Sequence, residues 1–141
     1  MGEKKELTEL GMGQQFEAYE FQVTPDFNQQ YLYAAEDYHP RYLEETNLGP
    51  PLVHPSLLLN QSNLTRSPSY RLPPGISAVH AKEEVEFLNP GKVGKTFKVT
   101  WKVIDAYEKR GKSYSVTEAL VVDEDGLEIM RRRTHGLLLK G

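Results

Sequence analysis

The run from Thr96 to Tyr107 constrains the fold most, because Phe97, Val99, Trp101 and Val103 alternate there with Lys98, Thr100 and Lys102. A period of two sends successive side chains to opposite faces, so this run reads as a strand with one face buried and one in water. A strand of that length needs partners on both sides. They follow directly: the turn Glu108-Lys109-Arg110-Gly111-Lys112 leads into Ser113 to Val122, and Asp123-Glu124-Asp125-Gly126 leads into Leu127 to Leu139. Ahead of them, Ile76 to Leu88 is a further strand, closed by Asn89-Pro90-Gly91. Long antiparallel strands joined by short turns and preceded by helices predict an α+β domain with a curled sheet.

The first half of the chain supplies those helices. From Gln15 to Val23 the alternation predicts a half-buried strand with Glu17, Tyr19, Phe21 and Val23 on one face. Thr24-Pro25-Asp26 is a helix start: Thr24 caps free amides, Pro25 has its φ preset, and Asp26 sits at the positive end of the dipole. This helix is expected to reach Ala35, with Phe27, Tyr31 and Ala34 or Ala35 facing inward. Residues 37–51 form a loop broken by Pro40, Gly49, Pro50 and Pro51. A second helix is expected from His54 or Pro55 to about Thr65, with Leu57, Leu58 and Leu64 as its apolar bulk. The Arg66 to Gly75 segment, with three prolines and its serines, cannot be regular, and its tyrosine and two arginines are available to line a site. Residues 1–12 are charged and glycine-bearing and read as a flexible tail, which leaves 13–141 as the domain.

A chain of 141 residues fits one domain, which buries about two thirds of its unfolded surface. The formal charge of -3 and a pI near 5.8 argue against a nucleic-acid binder, which needs a basic face to displace counterions. There is no cysteine, hence no disulfide, thiolate ligand or thiol nucleophile. No run of about twenty apolar residues is present and the first residues lack a signal-peptide core, so a soluble cytoplasmic protein without a membrane partner is expected.

Chemistry concentrates in Tyr33 to Glu45 and the Leu52 to Leu59 run after it, where a carboxylate, two imidazoles and several phenols fall between two apolar helices. Ionisable groups there lose solvent, which shifts pKa values toward proton-transfer work. The segment Glu36-Asp37-Tyr38-His39-Pro40-Arg41-Tyr42 resembles the hydratase loop of MaoC-like hot dog proteins, whose pattern reads Gly-Asp-x-Asn-Pro-(apolar)-His. Asp37 and Pro40 match; Glu36 stands at the Gly, His39 at the Asn, Arg41 at the apolar position and Tyr42 at the catalytic His. Val53-His54-Pro55-Ser56-Leu57-Leu58 is similar to the start of that family's central helix, Val79 to Gly94 to its His…Glu-x-Phe…Pro…Gly strand and turn, and Val103 to Gly111 to the first arm of its long hairpin. A His in the Val79-His80 context is typical of the family's amino-terminal, often non-catalytic half-domains. The similarity covers roughly residues 14–139.

The resemblance implies a single hot dog domain, a curled antiparallel sheet wrapped around a central helix. It implies a hydratase or dehydratase that adds or removes water at the double bond of an enoyl-CoA or enoyl-carrier thioester, with no cofactor beyond that substrate. Asp37 is then the base and His39 or Tyr42 completes the water site, while His54, Ser56 and Arg66 are the substrate-binding candidates. The resemblance also implies dimerisation, as a homodimer or a heteromer with another hot dog subunit. Two further readings follow: a non-catalytic acyl-binding subunit that completes the site of a catalytic hot dog partner, and an acyl-CoA thioesterase.

Each candidate also has a structural role open to it. Asp37 is placed to cap the turn after it. Tyr42, with a phenol pKa near 10, is a poor base and suits packing or orienting a water or thioester carbonyl. His39 lies two residues from Asp37 and points the other way in an extended turn, and His54 is a helix-start residue at the loop edge. His80 is read as structural and His135 as a surface residue. No histidine pair has metal-ligand spacing, so no metal is expected. Ser56 lacks a Gly-x-Ser-x-Gly elbow. Arg131 and Arg133 fall on one sheet face and Arg132 on the other, as in a solvated strand, with a phosphate contact as the functional alternative.

Overall fold

The computed structural model describes residues 11–141; the expected amino-terminal tail lies, over residues 1–10, outside the described residues. The elements run β1 (Gln15–Gln22), α1 (Pro25–Ala35), α2 (Pro40–Leu43), α3 (Pro55–Gln61), a 3-10 turn (Leu64–Arg66), β2 (Ile76–Phe87), β3 (Thr96–Lys109), β4 (Lys112–Asp123) and β5 (Glu128–Lys140). The five strands form one antiparallel sheet in the order β1-β3-β4-β5-β2. Both hairpin turns fall where the sequence places them. Arg110 and Gly111, at φ 53 and 76, form the two-residue loop between β3 and β4, the mirror-image geometry whose twist matches paired strands.

The alternation of β3 is realised as read: Phe97, Val99, Trp101 and Val103 are buried and the lysines between them are exposed. Phe97, Val99 and Trp101 meet Ala119 and Val121 of β4 and Ile129 and Met130 of β5, and this apolar face closes over Leu57 and Leu58 of α3. A curled antiparallel sheet around a central helix is the hot dog fold. One parity expectation fails. A register shift between Phe16 and Tyr19 turns β1 so that Phe16 packs against the core together with Tyr19 and Phe21.

Helix α1 starts and ends as expected, with Thr24 Oγ1 accepting from the Phe27 amide at 3.1 Å. Its buried positions differ from the expected stripe: Asn28 and Leu32 are buried, Phe27 and Tyr31 half-buried, and Ala34 and Ala35 exposed. The helix leaves the sheet before its last turn. Glu36 ends it in the left-handed conformation, φ 54, at the position where the resembling loop pattern has glycine. Gly91 has a spatial reason: a side chain there would meet the Phe97 ring at 3.1 Å, and its carbonyl receives the Val53 amide just before α3.

The central helix is shorter than predicted, seven residues with a separate 3-10 turn after Asn63. A helix of that length does not hold itself in water. Its carboxyl end is held from the sheet, where Trp101 Nε1–H donates to the Ser62 carbonyl at 2.8 Å and the Arg132 guanidinium donates to the Leu59 carbonyl and to Ser62 Oγ. Arg132 is thereby a buried residue, 9% exposed and paired through Nε with Glu83, which corrects the reading of its strand as solvated. Arg131 and Arg133 do share the outer face, both beside Glu118. His135 is also corrected: its side chain is only 13% exposed, between the Tyr107 hydroxyl and Glu84 on that face. Trp101→Phe leaves the Ser62 carbonyl buried and unpaired, so unfolding in urea should show a loss of at least about 1–3 kcal/mol; an unchanged midpoint would remove Trp101 from the support of α3.

Candidate functional site

The loop after α1 and the start of α3 are brought together by their caps. The His54 backbone is extended and its imidazole Nδ1 accepts from the Ser56 amide at 3.1 Å, capping α3. Ser56 Oγ lies 2.8 Å from the same nitrogen, and the Tyr31 hydroxyl of α1 bonds Ser56 Oγ in turn. Nδ1 is therefore the acceptor, which puts the ring proton on Nε2. That nitrogen donates to Asp37 Oδ2 at 3.0 Å. The partner of Asp37 is thus His54, seventeen positions further along the chain.

His39 is placed elsewhere. Its backbone amide donates to Asp37 Oδ1 at 3.2 Å, but its imidazole turns away to cap α2, accepting from the Arg41 amide at 3.1 Å. Both capping histidines use the same device, a ring nitrogen on the amide two residues on. The Tyr42 ring leans on the His54 ring with centroids 5.0 Å apart, and its hydroxyl has no hydrogen-bond partner among the described residues. Arg66 sits beyond the other end of α3, exposed, and does not join the group. Asp37, His54, Ser56 and Tyr42 are brought together; His39 contributes its backbone.

Two supporting residues were not singled out from sequence for this site. Tyr31 was expected only to point inward; it reaches Ser56 instead. Asn28, one position past Phe27, is 4% exposed and its amide donates to the Tyr42 carbonyl at 2.7 Å, tying α1 to α2, while its Oδ1 is buried without a partner among the described residues. Its i, i+4 spacing from Leu32 was the available signal.

The electrostatics follow from these bonds. The His39 backbone N–H holds the Asp37 carboxyl below its ordinary value of 3.8, against the opposing effect of desolvation, with the His54 hydrogen bond adding to the lowering. The carboxylate is ionised at neutral pH and its side chain remains 37% exposed, so water reaches it. Both imidazole nitrogens are occupied by partners. The arrangement therefore offers a carboxylate base oriented by a neutral histidine, not a free imidazole base.

Beside this pair runs an apolar groove of about 270 Å³ whose walls include Tyr42, Leu52, Pro55, Leu58 and Phe87. No group of three or more potential metal ligands occurs among the described residues, and no helix among them is long and apolar enough to cross a membrane.

No protein-family model matches the chain, and no curated protein matches it. Solved structures do match. The (R)-hydratase PhaJ1 from Pseudomonas aeruginosa superposes with TM-score 0.72 at 18% identity, over 96% of this chain and 86% of that one. A MaoC-like dehydratase from Rhodospirillum rubrum gives TM-score 0.74 at 15% identity, over 94% and 95%. The HadBC (3R)-hydroxyacyl-ACP dehydratase complex from Mycobacterium tuberculosis gives 0.66 at 20% identity, over 92% and 97%. These likenesses establish that the chain shares the hot dog fold of those proteins.

Because the Asp37 carboxyl titrates lower when folded than its unfolded value of 3.8, the folded chain binds fewer protons at this group. Asp37 therefore adds stability that is fully present above the unfolded value and is lost as pH falls through the lowered folded one. Urea midpoints of the wild type and Asp37→Asn, taken from about pH 6 to about pH 2, should differ at the upper end and converge at the lower. A gap that widens on acidification would contradict the pairing.

Proposed function

We propose that this hot dog domain is a MaoC-like hydratase or dehydratase acting on an enoyl or 3-hydroxyacyl thioester, with Asp37 as its acid and base. The observation that carries this reading is the 3.0 Å bond from His54 to Asp37, which supplies the carboxylate with an imidazole although the loop has Tyr42 at the usual histidine position. The hot dog fold shared with hydratases and dehydratases adds support.

The chemistry balances on one carboxyl group. In hydration, a water on Asp37 gives its proton to the carboxylate while its oxygen bonds to Cβ; the double-bond electrons move to the thioester oxygen as an enolate. Asp37 then returns the proton to Cα. A carboxyl held below the usual range gives that proton back readily. His54 Nε2–H orients the carboxylate, and the Tyr42 hydroxyl is the donor for the thioester oxygen. The first amides of α3 do not serve, because His54 occupies them: the Ser56 amide bonds its ring and the Leu57 amide its carbonyl. The acyl chain lies in the apolar groove between Tyr42 and Phe87.

A second reading has an observation of its own. Among the described residues strand β2 ends the sheet with its outer edge unpaired, and Val85 and Phe87 on it are exposed although they share the concave face with buried Arg132 and Met130. A second hot dog subunit is suited to cover such an edge, and HadBC, which shares the fold, is a complex. On this reading the chain is an acyl-binding subunit whose partner carries the chemistry.

Purified protein should hydrate crotonyl-CoA or a longer trans-2-enoyl-CoA, seen as loss of the conjugated-thioester absorbance. Asp37→Asn should lose at least about a hundredfold in turnover, and Tyr42→Phe about tenfold. Full turnover in Asp37→Asn would overturn the mechanism; no hydration by the wild type alone, with activity gained on adding a hot dog partner, would establish the subunit reading.

A further inference from the structure

The Ser56 hydroxyl takes no part in the hydration steps, yet it ends a chain of hydrogen bonds with a chemistry of its own. Ser56 Oγ lies 2.8 Å from His54 Nδ1, and His54 Nε2 lies 3.0 Å from Asp37 Oδ2. Hydroxyl, imidazole and carboxylate stand in series, the connection that turns a serine into a nucleophile. The Gly-x-Ser-x-Gly elbow is absent, but such a trio is recognised by geometry and not by a motif. Here the cap of α3 builds it: His54, Pro55 and Ser56 are consecutive, so one backbone turn sets the hydroxyl against the ring.

The proton positions agree with that role. With Nε2–H directed at Asp37, the Nδ1 lone pair faces the Ser56 hydroxyl and amide, and a carboxylate stands behind the ring to stabilise the imidazolium that forms when Nδ1 takes a proton. Ser56 therefore donates to His54. That leaves Tyr31 as the donor in its bond to Ser56 Oγ, so a phenol hydroxyl is poised beside the attacking oxygen. Ser56 is half-buried, and the apolar groove of about 270 Å³ runs past it along Pro55 and Tyr42.

We propose that Ser56 is a catalytic nucleophile and that the chain cleaves a short acyl ester or thioester through an acyl-Ser56 intermediate. Ser56 Oγ bonds to the carbonyl carbon while its proton passes to His54 Nδ1, and the carbonyl electrons move to oxygen, where the Tyr31 hydroxyl, freed from Oγ, donates. The oxyanion then collapses. The bond to the leaving oxygen or sulfur breaks, and His54 returns the proton to the departing alcohol or thiol. Water attacks the acyl-serine in the same way, giving its proton to His54, which passes it back to Ser56 Oγ as the carboxylic acid leaves. This reaction shares Asp37 and His54 with hydration but breaks a bond at the carbonyl, and in it Asp37 exchanges no proton.

The test exposes the full chain at neutral pH to p-nitrophenyl butyrate and to butyryl-CoA, two sources of one acyl group, and to diisopropyl fluorophosphate, which traps an activated serine. Released p-nitrophenol or CoA is followed, and the labelled residue is located by peptide mass spectrometry. At least one donor should be cleaved, which identifies the source, and the phosphoryl label should sit on Ser56. Ser56→Ala keeps the backbone amide that caps α3; thermal unfolding checks that it is folded, and it should lose at least about a thousandfold in cleavage and take no label at this position. Crotonyl-CoA hydration is read separately. Cleavage through Ser56 without hydration would sink the hydratase reading alone, and hydration without Ser56 labelling would sink this one alone. The proposal is overturned if neither donor is cleaved faster than by Ser56→Ala, or if Ser56 stays unlabelled.

Discussion

Everything in this domain depends on holding a helix too short to hold itself. Helix α3 has seven residues, and a sheet of five strands closes over it. Leu57 and Leu58 supply the burial, but polar bonds at its two ends fix its position. At the carboxyl end, Trp101 and Arg132 reach across from the sheet to the Leu59 and Ser62 carbonyls, and the guanidinium charge also suits the negative end of the helix dipole. Burying Arg132 is tolerable only because Glu83, two carbonyl or hydroxyl oxygens and the dipole all face it.

At the amino end the holding group is itself chemical. His54 caps α3 through Nδ1, and that bond dictates the tautomer that lets Nε2 donate to Asp37. Fold and candidate site therefore share one imidazole. The Asp37 loop is fixed from its other side by Asn28 and by the paired caps of α1 and α2, so the carboxylate is oriented before any ligand arrives. The Tyr42 substitution in the loop pattern leaves the carboxylate an imidazole, delivered from the helix and not from the loop.

The strands and α1 were legible because their signals are local: a period of two from Phe97 to Val103, a Thr-Pro-Asp helix start, and hairpin turns at Arg110-Gly111 and around Gly126. Asp37 was legible through its loop pattern. The identity of its partner was not, because it depends on which of three nearby groups reaches the carboxylate. Spacing favours neither His39 nor His54, and only the cap geometry turns one ring away and the other inward. Arg132 shows the same limit: alternation puts it on the face opposite Arg131 and Arg133, but whether that face is dry depends on where α3 ends.

The central claim is that Asp37 and His54 act as one unit, and a double-mutant cycle on enoyl-CoA hydration tests it most directly. The rate constants kcat/KM would be measured for the wild type, Asp37→Asn, His54→Gln and the double variant, with thermal unfolding alongside to confirm that each is folded. Groups that act together are strongly non-additive, so each single change should remove about a hundredfold or more and the double should lose little beyond the worse single. Wild-type turnover in a folded His54→Gln, or losses that multiply in the double variant, would show that the two residues are neighbours without a common task.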